Sequence, residues 1–305
     1  MDKTLKFRIV DIFYLFLIIA PLVAGMVIKV LTEPAAEGIK IAGANIFFTI
    51  PFFIQDIVIT ESQINSWLII ITILGICLYL THGLKTVPGL KRQHLAEMAV
   101  EKVDALVLEN MGEMFMGFSP FIAGIMILSA LSSLSCLVGM YSPTSDINVT
   151  AGWAILVFIL ITHYKLKGGF GNYLKSFAEP VVILTPMNII SEIATPVSMA
   201  FRHYGNVLSG AVISALLGSF LGGLTKKLPG ILGQIPFLRA GIPAVLSLYF
   251  DIFSGCMQAF IFAMLTMLYV SGGFPGEAYE KRMKRKMERA KKRAEAKARA
   301  AADKV

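Results

Sequence analysis

The chain has 305 residues, of which 56% are hydrophobic and only 16% charged. Ordinary soluble domains carry roughly 45–50% apolar and about 25% charged residues, so this balance excludes a soluble globular domain, a disordered chain and a disulfide scaffold, and points to the membrane class. The net charge of +8 belongs to the tail: residues 277–305 hold 12 Lys/Arg and 5 Asp/Glu, leaving +1 for the rest and no basic folded face for nucleic acid.

Apolar runs of spanning length follow in chain order. The first, residues 9–31, comes after Lys3, Lys6 and Arg8 and has no small-x-small cleavage site, so it reads as a retained signal anchor. Runs at 64–82, 117–141 and 149–166 come next, since about 20 helical residues cross a bilayer. Lys/Arg counting over the segments between them sets an orientation. The N-terminus, the 83–115 loop (Lys85, Lys91, Arg92, Lys102) and the 165–175 loop (Lys165, Lys167, Lys175) are basic, whereas the 32–63 loop has only Lys40 and the 142–148 loop has none. Both termini are therefore expected on the cytoplasmic side.

An almost unbroken apolar run extends from 176 to 276 and must hold an even number of crossings, two or four. Lys226 and Lys227 favour four by the charge rule. Two would need helices of about 40 residues, roughly 60 Å long, steeply tilted in the bilayer. Beyond Gly276 the Ala, Lys, Arg and Glu composition, with Glu277–Lys281 and Glu288–Lys292 among the i,i+4 pairs, predicts a solvated basic helix.

The chemistry lies in two polar stripes. Asn188, Glu192, Thr195, Ser198, Arg202, Asn206 and Ser209 recur at steps of three and four, on one face of an otherwise apolar helix. Serine, threonine and asparagine serve as interhelical glue, but a mid-membrane arginine cannot shed its proton and must face water or a partner charge. Ser247, Asp251, Ser254 and Gln258 form the second stripe, with Asp251 its one carboxylate. Opposite charges on two helices leave open a buried ion pair, an ion path or a transporter binding a solute at the midplane. Cys77, Cys136 and Cys256 read as small buried hydrophobes, His82 and His163 as interfacial side chains, and His203 adjoins the arginine. No HExxH, GxxxxGK[ST], GxSxG or GxGxxG motif occurs, so no catalytic site, metal or cofactor is expected.

PVSMAFRHYGNVLSG (196–210) resembles the PxSLxxRLFGNxxAG signature of subunit a, the ion-channel stator of F-type ATP synthases. SPTSDINVT (142–150), HYKLKGGFGNYLKSF (163–177) and MQAFIFAMLTMLYVS (257–271) resemble that family's segments in the same order, as does ITESQINSW at the start of the second span, so the resemblance covers roughly residues 45–273.

The resemblance implies an all-α polytopic membrane protein of about six helices, two of them long, tilted and facing a rotor ring; the first span and the basic cytoplasmic C-terminal helix, read from composition, lie outside the shared core. The division is 1–44, an extra N-terminal anchor and external loop; 45–276, the channel core; and 277–305, the tail. Arg202 matches the essential arginine, and Asn206 and Gln258 match polar residues beside it. His203-Tyr204 replaces the family's Leu-Phe, and Ala211 stands where a Glu is frequent. That loss puts the outer half-channel on Asp251, with Glu192 and Asp146 nearby, while Ser198, Ser209 and His203 complete the expected ion-translocation set. The implied setting is the bacterial plasma membrane, with the c-subunit ring, b-type peripheral stalk subunits, the soluble ATPase sector through the complex, and lipid as partners. A self-contained transporter using Arg202 and Asp251 is the alternative.

Overall fold

The structure, a computed structural model, describes residues 3–32, 43–51, 53, 56–85, 91–178, 181–225, 245, 248–277, 279–281, 283–285 and 287. Among the described residues six segments are long and apolar enough to cross a membrane: Arg8–Thr32, Glu61–Thr81, Glu113–Val138, Ile147–Leu166, Val182–Thr225 and Tyr249–Gly272. The protein is an all-α polytopic membrane protein.

Helix α1 (Lys3–Thr32) packs lengthwise on α2 (Glu61–Thr81). The approach is close because α2 offers Gly75 at the crossing: a Cβ there would lie 3.0 Å from Ile18 Cγ1 and 3.2 Å from the Ile18 backbone nitrogen. At one end of the pair Asp11 accepts from Arg92 Nη1 at 2.8 Å and lies 2.9 Å from His82 Nδ1, while Arg92 Nη2 donates to the His82 carbonyl at 2.8 Å. These bonds tie α1 to the start of α3 (Lys91–Met111).

Two segments read as loops are ordered elements. Within 32–63, β1 (Ile46–Ile50) and β2 (Ile57–Thr60) pair antiparallel, with Phe48 opposite Ile59 and Ile50 opposite Ile57. Within 83–115, α3 is helical because Val103, Val107 and Met111, at four-residue spacing, face the core while Lys91, Glu101, Lys102 and Glu109 face outward.

Helices α4 (Ser119–Leu134), α5 (Ile147–Leu166), α7 (Thr185–Thr225) and α8 (Gly255–Gly272) close around Phe118, Ile122, Val157, Met199, Phe262 and Met267; the short α6 (Phe170–Ala178) lies before α7. Asp146 caps α5 by accepting from the Asn148 backbone N–H at 2.9 Å. Gly255 brings α8 against α4, where a Cβ would fall 2.8 Å from Ser133 Cβ.

The first of the two long helices is one continuous α7 of 41 residues, about 60 Å, with Pro196 inside it. Before α8 the chain makes a π-helical turn, Tyr249–Ser254, which carries Asp251. Lys226, Lys227, Arg239, Glu179, Ser247 and residues 288–305 of the basic tail lie outside the described residues. The cysteines differ from expectation: Cys77, Cys136 and Cys256 are all exposed on the outside of the bundle. In a membrane span that outer surface is apolar too, so a small hydrophobe need not be buried inside the protein.

Candidate functional site

A single helix holds the Arg202 stripe, but neighbouring helices divide it. Arg202, Ser198 and Ser209 are exposed; Glu192, Thr195 and Asn206 are half-buried; and His203 is buried. The exposed side of α7 is an apolar strip, with Ile193, Val197, Phe201, Ile213, Leu216 and Phe220 all more than two-fifths exposed, and Arg202 is its cation. Among the described residues Arg202 has no hydrogen-bond or ion-pair partner. Such a guanidinium needs an anion or water supplied from outside the chain.

Four residues beyond Arg202, α7 meets the π-helical turn. Ser254 Oγ donates to Asn206 Oδ1 at 2.8 Å, and Asp251, Asn206, Ser254 and Ser133 line a crevice of about 10 Å³. Gly210 keeps it narrow, because its Cα faces Phe250 and a Cβ would stand 3.1 Å from Phe250 Cβ. Gln258 lies buried one turn further along α8.

From the crevice a chain of polar groups runs to the end of the bundle where α2 and α5 begin. Ser133 Oγ is 3.4 Å from Thr144 Oγ1, which is 2.8 Å from Ser142 Oγ. Asp146, two residues on, accepts from Ser62 Oγ, and the adjacent Glu61 accepts from Asn45 Nδ2 at 2.9 Å. Glu61, Ser62, Asn65 and Thr144 are all at most 2% exposed. Tyr141 lies in this cluster; burial first, then the Asp146 and Glu61 carboxylates, hold its hydroxyl proton above the usual tyrosine range.

Glu192 is elsewhere. It precedes Asn206 by 14 residues, about 21 Å along a continuous helix, so it cannot sit near Asp251 as the sequence reading expected. Its Oε2 accepts from Lys165 Nζ at 2.6 Å beside a separate cavity of about 510 Å³, lined among others by Tyr173, Asn188, Ser191 and Thr195. Burial, and then the Glu192 carboxylate, raise the Tyr173 hydroxyl above its ordinary value.

His203 lines neither hollow. Its Nε2 is 3.3 Å from Ser129 Oγ, and the Trp153 and Phe262 rings meet it edge to face at 5.6 and 5.7 Å, on the side of α7 away from Arg202. The sequence reading gave Glu61, Ser62, Ser133, Thr144 and Lys165 no place in the candidate site, whereas the structure puts them along the polar chain and the cavity. Glu61, Ser62, Thr144 and Lys165 stand in motifs that the sequence offered, whereas Ser133 gave no signal.

Comparison with known proteins places the chain in a family. The family model described as ATP synthase A chain matches residues 63–271. ATP synthase subunit a 2 of Bradyrhizobium sp. is 30% identical over 224 residues, covering 73% of this chain and 92% of the relative. Subunit a of Moorella thermoacetica is 30% identical over 222 residues (72% and 93%), and the sodium ion specific subunit a of Propionigenium modestum is 27% identical over 238 residues (72% and 76%).

Proposed function

The chain belongs to the ATP synthase A chain family, the ion-transporting membrane-sector subunit a of F-type ATP synthases, and we propose that Arg202 separates two half-channels that serve a ring of rotor carboxylates. The observation that carries this reading is Arg202 itself: a cation without a partner among the described residues, on the exposed apolar strip of α7, bracketed along the helix by the Asp251 crevice and the Glu192 cavity.

On the outer side, the ion enters by Glu61 and Asp146, passes Thr144 and Ser133, and reaches Asp251 beside Asn206 and Ser254. There it neutralises a rotor carboxylate, which then turns into lipid at little cost because it no longer carries charge. A carboxylate returning ionised is held by Arg202, whose fixed charge repels a cation trying to cross directly between the half-channels. The ion leaves through the cavity beside Glu192, at the end of the bundle that carries Lys165 and Lys167. Each unit charge crossing gains about 2.3 kcal/mol per 100 mV, which the ring converts to rotation. Ser198 and Ser209 flank Arg202 on the ring face, and Gln258 backs the crevice. The subunit forms no covalent bond of its own.

The partners on this reading are the c-subunit ring, b-type peripheral stalk subunits and, through them, the soluble ATPase sector, in the bacterial plasma membrane with both termini cytoplasmic. A mild-detergent pulldown of the tagged chain tests it. Co-purified small two-span subunits and soluble ATPase subunits are expected, whereas a lone chain in detergent shown to preserve such complexes overturns it.

A further inference from the structure

The cavity beside Glu192 contains an ion pair that binding to a rotor does not require. Lys165, at the end of α5, lays its stem over Gly273 just after α8, where a Cβ would lie 2.9 Å from Lys165 Cε. Its ammonium then reaches Glu192 on α7, so one side chain bridges three helices at 2.6 Å. The pair is largely sheltered, with Lys165 25% and Glu192 14% exposed. Oε2 takes the ammonium, and the Tyr173 hydroxyl approaches the same carboxylate without reaching full hydrogen-bond geometry. Oε1 is buried and, among the described residues, has no hydrogen-bond partner. A buried carboxylate oxygen left without a well-aligned donor is costly, which a purely structural bridge would avoid by using both oxygens.

We propose that the Lys165–Glu192 pair is the inner gate of the ion path, with Glu192 Oε1 as the acceptor for the outgoing cation and Lys165 as the positioning residue that holds the carboxylate in place. This rests on the reading of the cavity as the inner half-channel. A proton leaving the rotor forms an O–H bond at Oε1, giving a neutral acid that no longer pairs fully with Lys165. Transfer of that proton to water on the cytoplasmic side restores the carboxylate and the ion pair. The same oxygen ligates Na+ if that is the cation carried. Asn188, Ser191 and Thr195, at three- and four-residue spacing on α7, give the cation polar contacts on its way. Tyr173, whose hydroxyl keeps its proton, remains neutral beside the pair.

The test uses the assembled complex in inverted membrane vesicles, with ATP-driven ion pumping measured per copy of assembled complex, in sodium-free buffer and again with Na+. Glu192→Gln is expected to slow pumping at least about tenfold, and Lys165→Met about three- to tenfold. The exchange variant Lys165→Glu/Glu192→Lys re-forms the bridge but moves the carboxylate to α5. On this proposal it stays as slow as Glu192→Gln; recovery of the parent rate would show a clamp and overturn the gate, as would an unimpaired Glu192→Gln. If Glu192→Gln does not assemble, the exchange variant decides alone. The underlying cavity reading is tested separately by Ser191→Cys, in a chain with Cys77, Cys136 and Cys256 replaced by serine. Labelling by a membrane-impermeant thiol reagent from the cytoplasmic face is expected, and its absence removes the inner half-channel whatever the exchange variant does.

Discussion

Replacing Asp251 with Asn probes the outer path most sharply. The amide is isosteric, so the crevice and the 2.8 Å bond from Ser254 to Asn206 persist, while the one carboxylate that lines the crevice among the described residues is lost. The crevice measures about 10 Å³, at the lower limit for one water molecule, so a broad water column cannot carry the ion past the missing group. A positioned acid–base group contributes about 10²- to 10⁴-fold. Taking the lower end, because Ser133, Ser254 and Asn206 remain, the rate should fall about 100-fold, or about 2.7 kcal/mol. ATP-driven ion uptake into inverted vesicles, normalised to assembled complex, reads this directly, and Asp251→Glu should recover much of the rate. Uptake by Asp251→Asn above about a third of the parent rate would refute the assignment of Asp251 as relay.

Other consequences follow from particular contacts. Thr144→Val should slow uptake about tenfold by breaking the hydroxyl chain between Ser133 and Ser142, with assembly unchanged, and a parent-like rate would remove Thr144 from the path. Asp11→Asn removes the anion shared by Arg92 and His82 and should destabilise the α1–α3 corner by about 1–3 kcal/mol, seen as faster proteolysis between residues 82 and 91 at low protease; an unchanged cleavage rate would show that the pair contributes nothing. Gly255→Val must push α8 from Ser133 and should cost about 1–3 kcal/mol, read as a lower melting temperature of the purified complex. His203→Leu should leave coupled transport within about twofold, because His203 lines neither hollow; a loss comparable to Asp251→Asn would reinstate it as a relay.

The spans were legible because a bilayer demands length and apolarity together, and both survive in a single sequence. The stripe through Arg202 was legible for a related reason: steps of three and four on an apolar helix can be seen without knowing what packs beside them. What faced each residue was not legible. Thr195 and Ser198 share a stripe, yet one borders a cavity and the other the outer surface, a division set by α5 and α8. Glu192 was assigned to Asp251 by counting carboxylates, whereas the rise of an uninterrupted α7 separates them. Lys165 served as a marker of orientation, and its partner stands 27 residues away across a turn and a short helix. Helix α3 was hidden because its charges fitted a basic loop, and its apolar positions show only against the core they meet. The β1–β2 hairpin has no strong turn signal between its strands, and the π-helical turn at Asp251 has no sequence signature.

The measurement nearest the central claim is ion-driven ATP synthesis by the complex carrying Arg202→Ala, with assembly verified by recovery of the ring and the soluble sector. The account predicts that synthesis is abolished although the complex is intact, because without the fixed charge ions cross between the half-channels without turning the ring. Sustained ion-driven synthesis in the intact Arg202→Ala complex would contradict it.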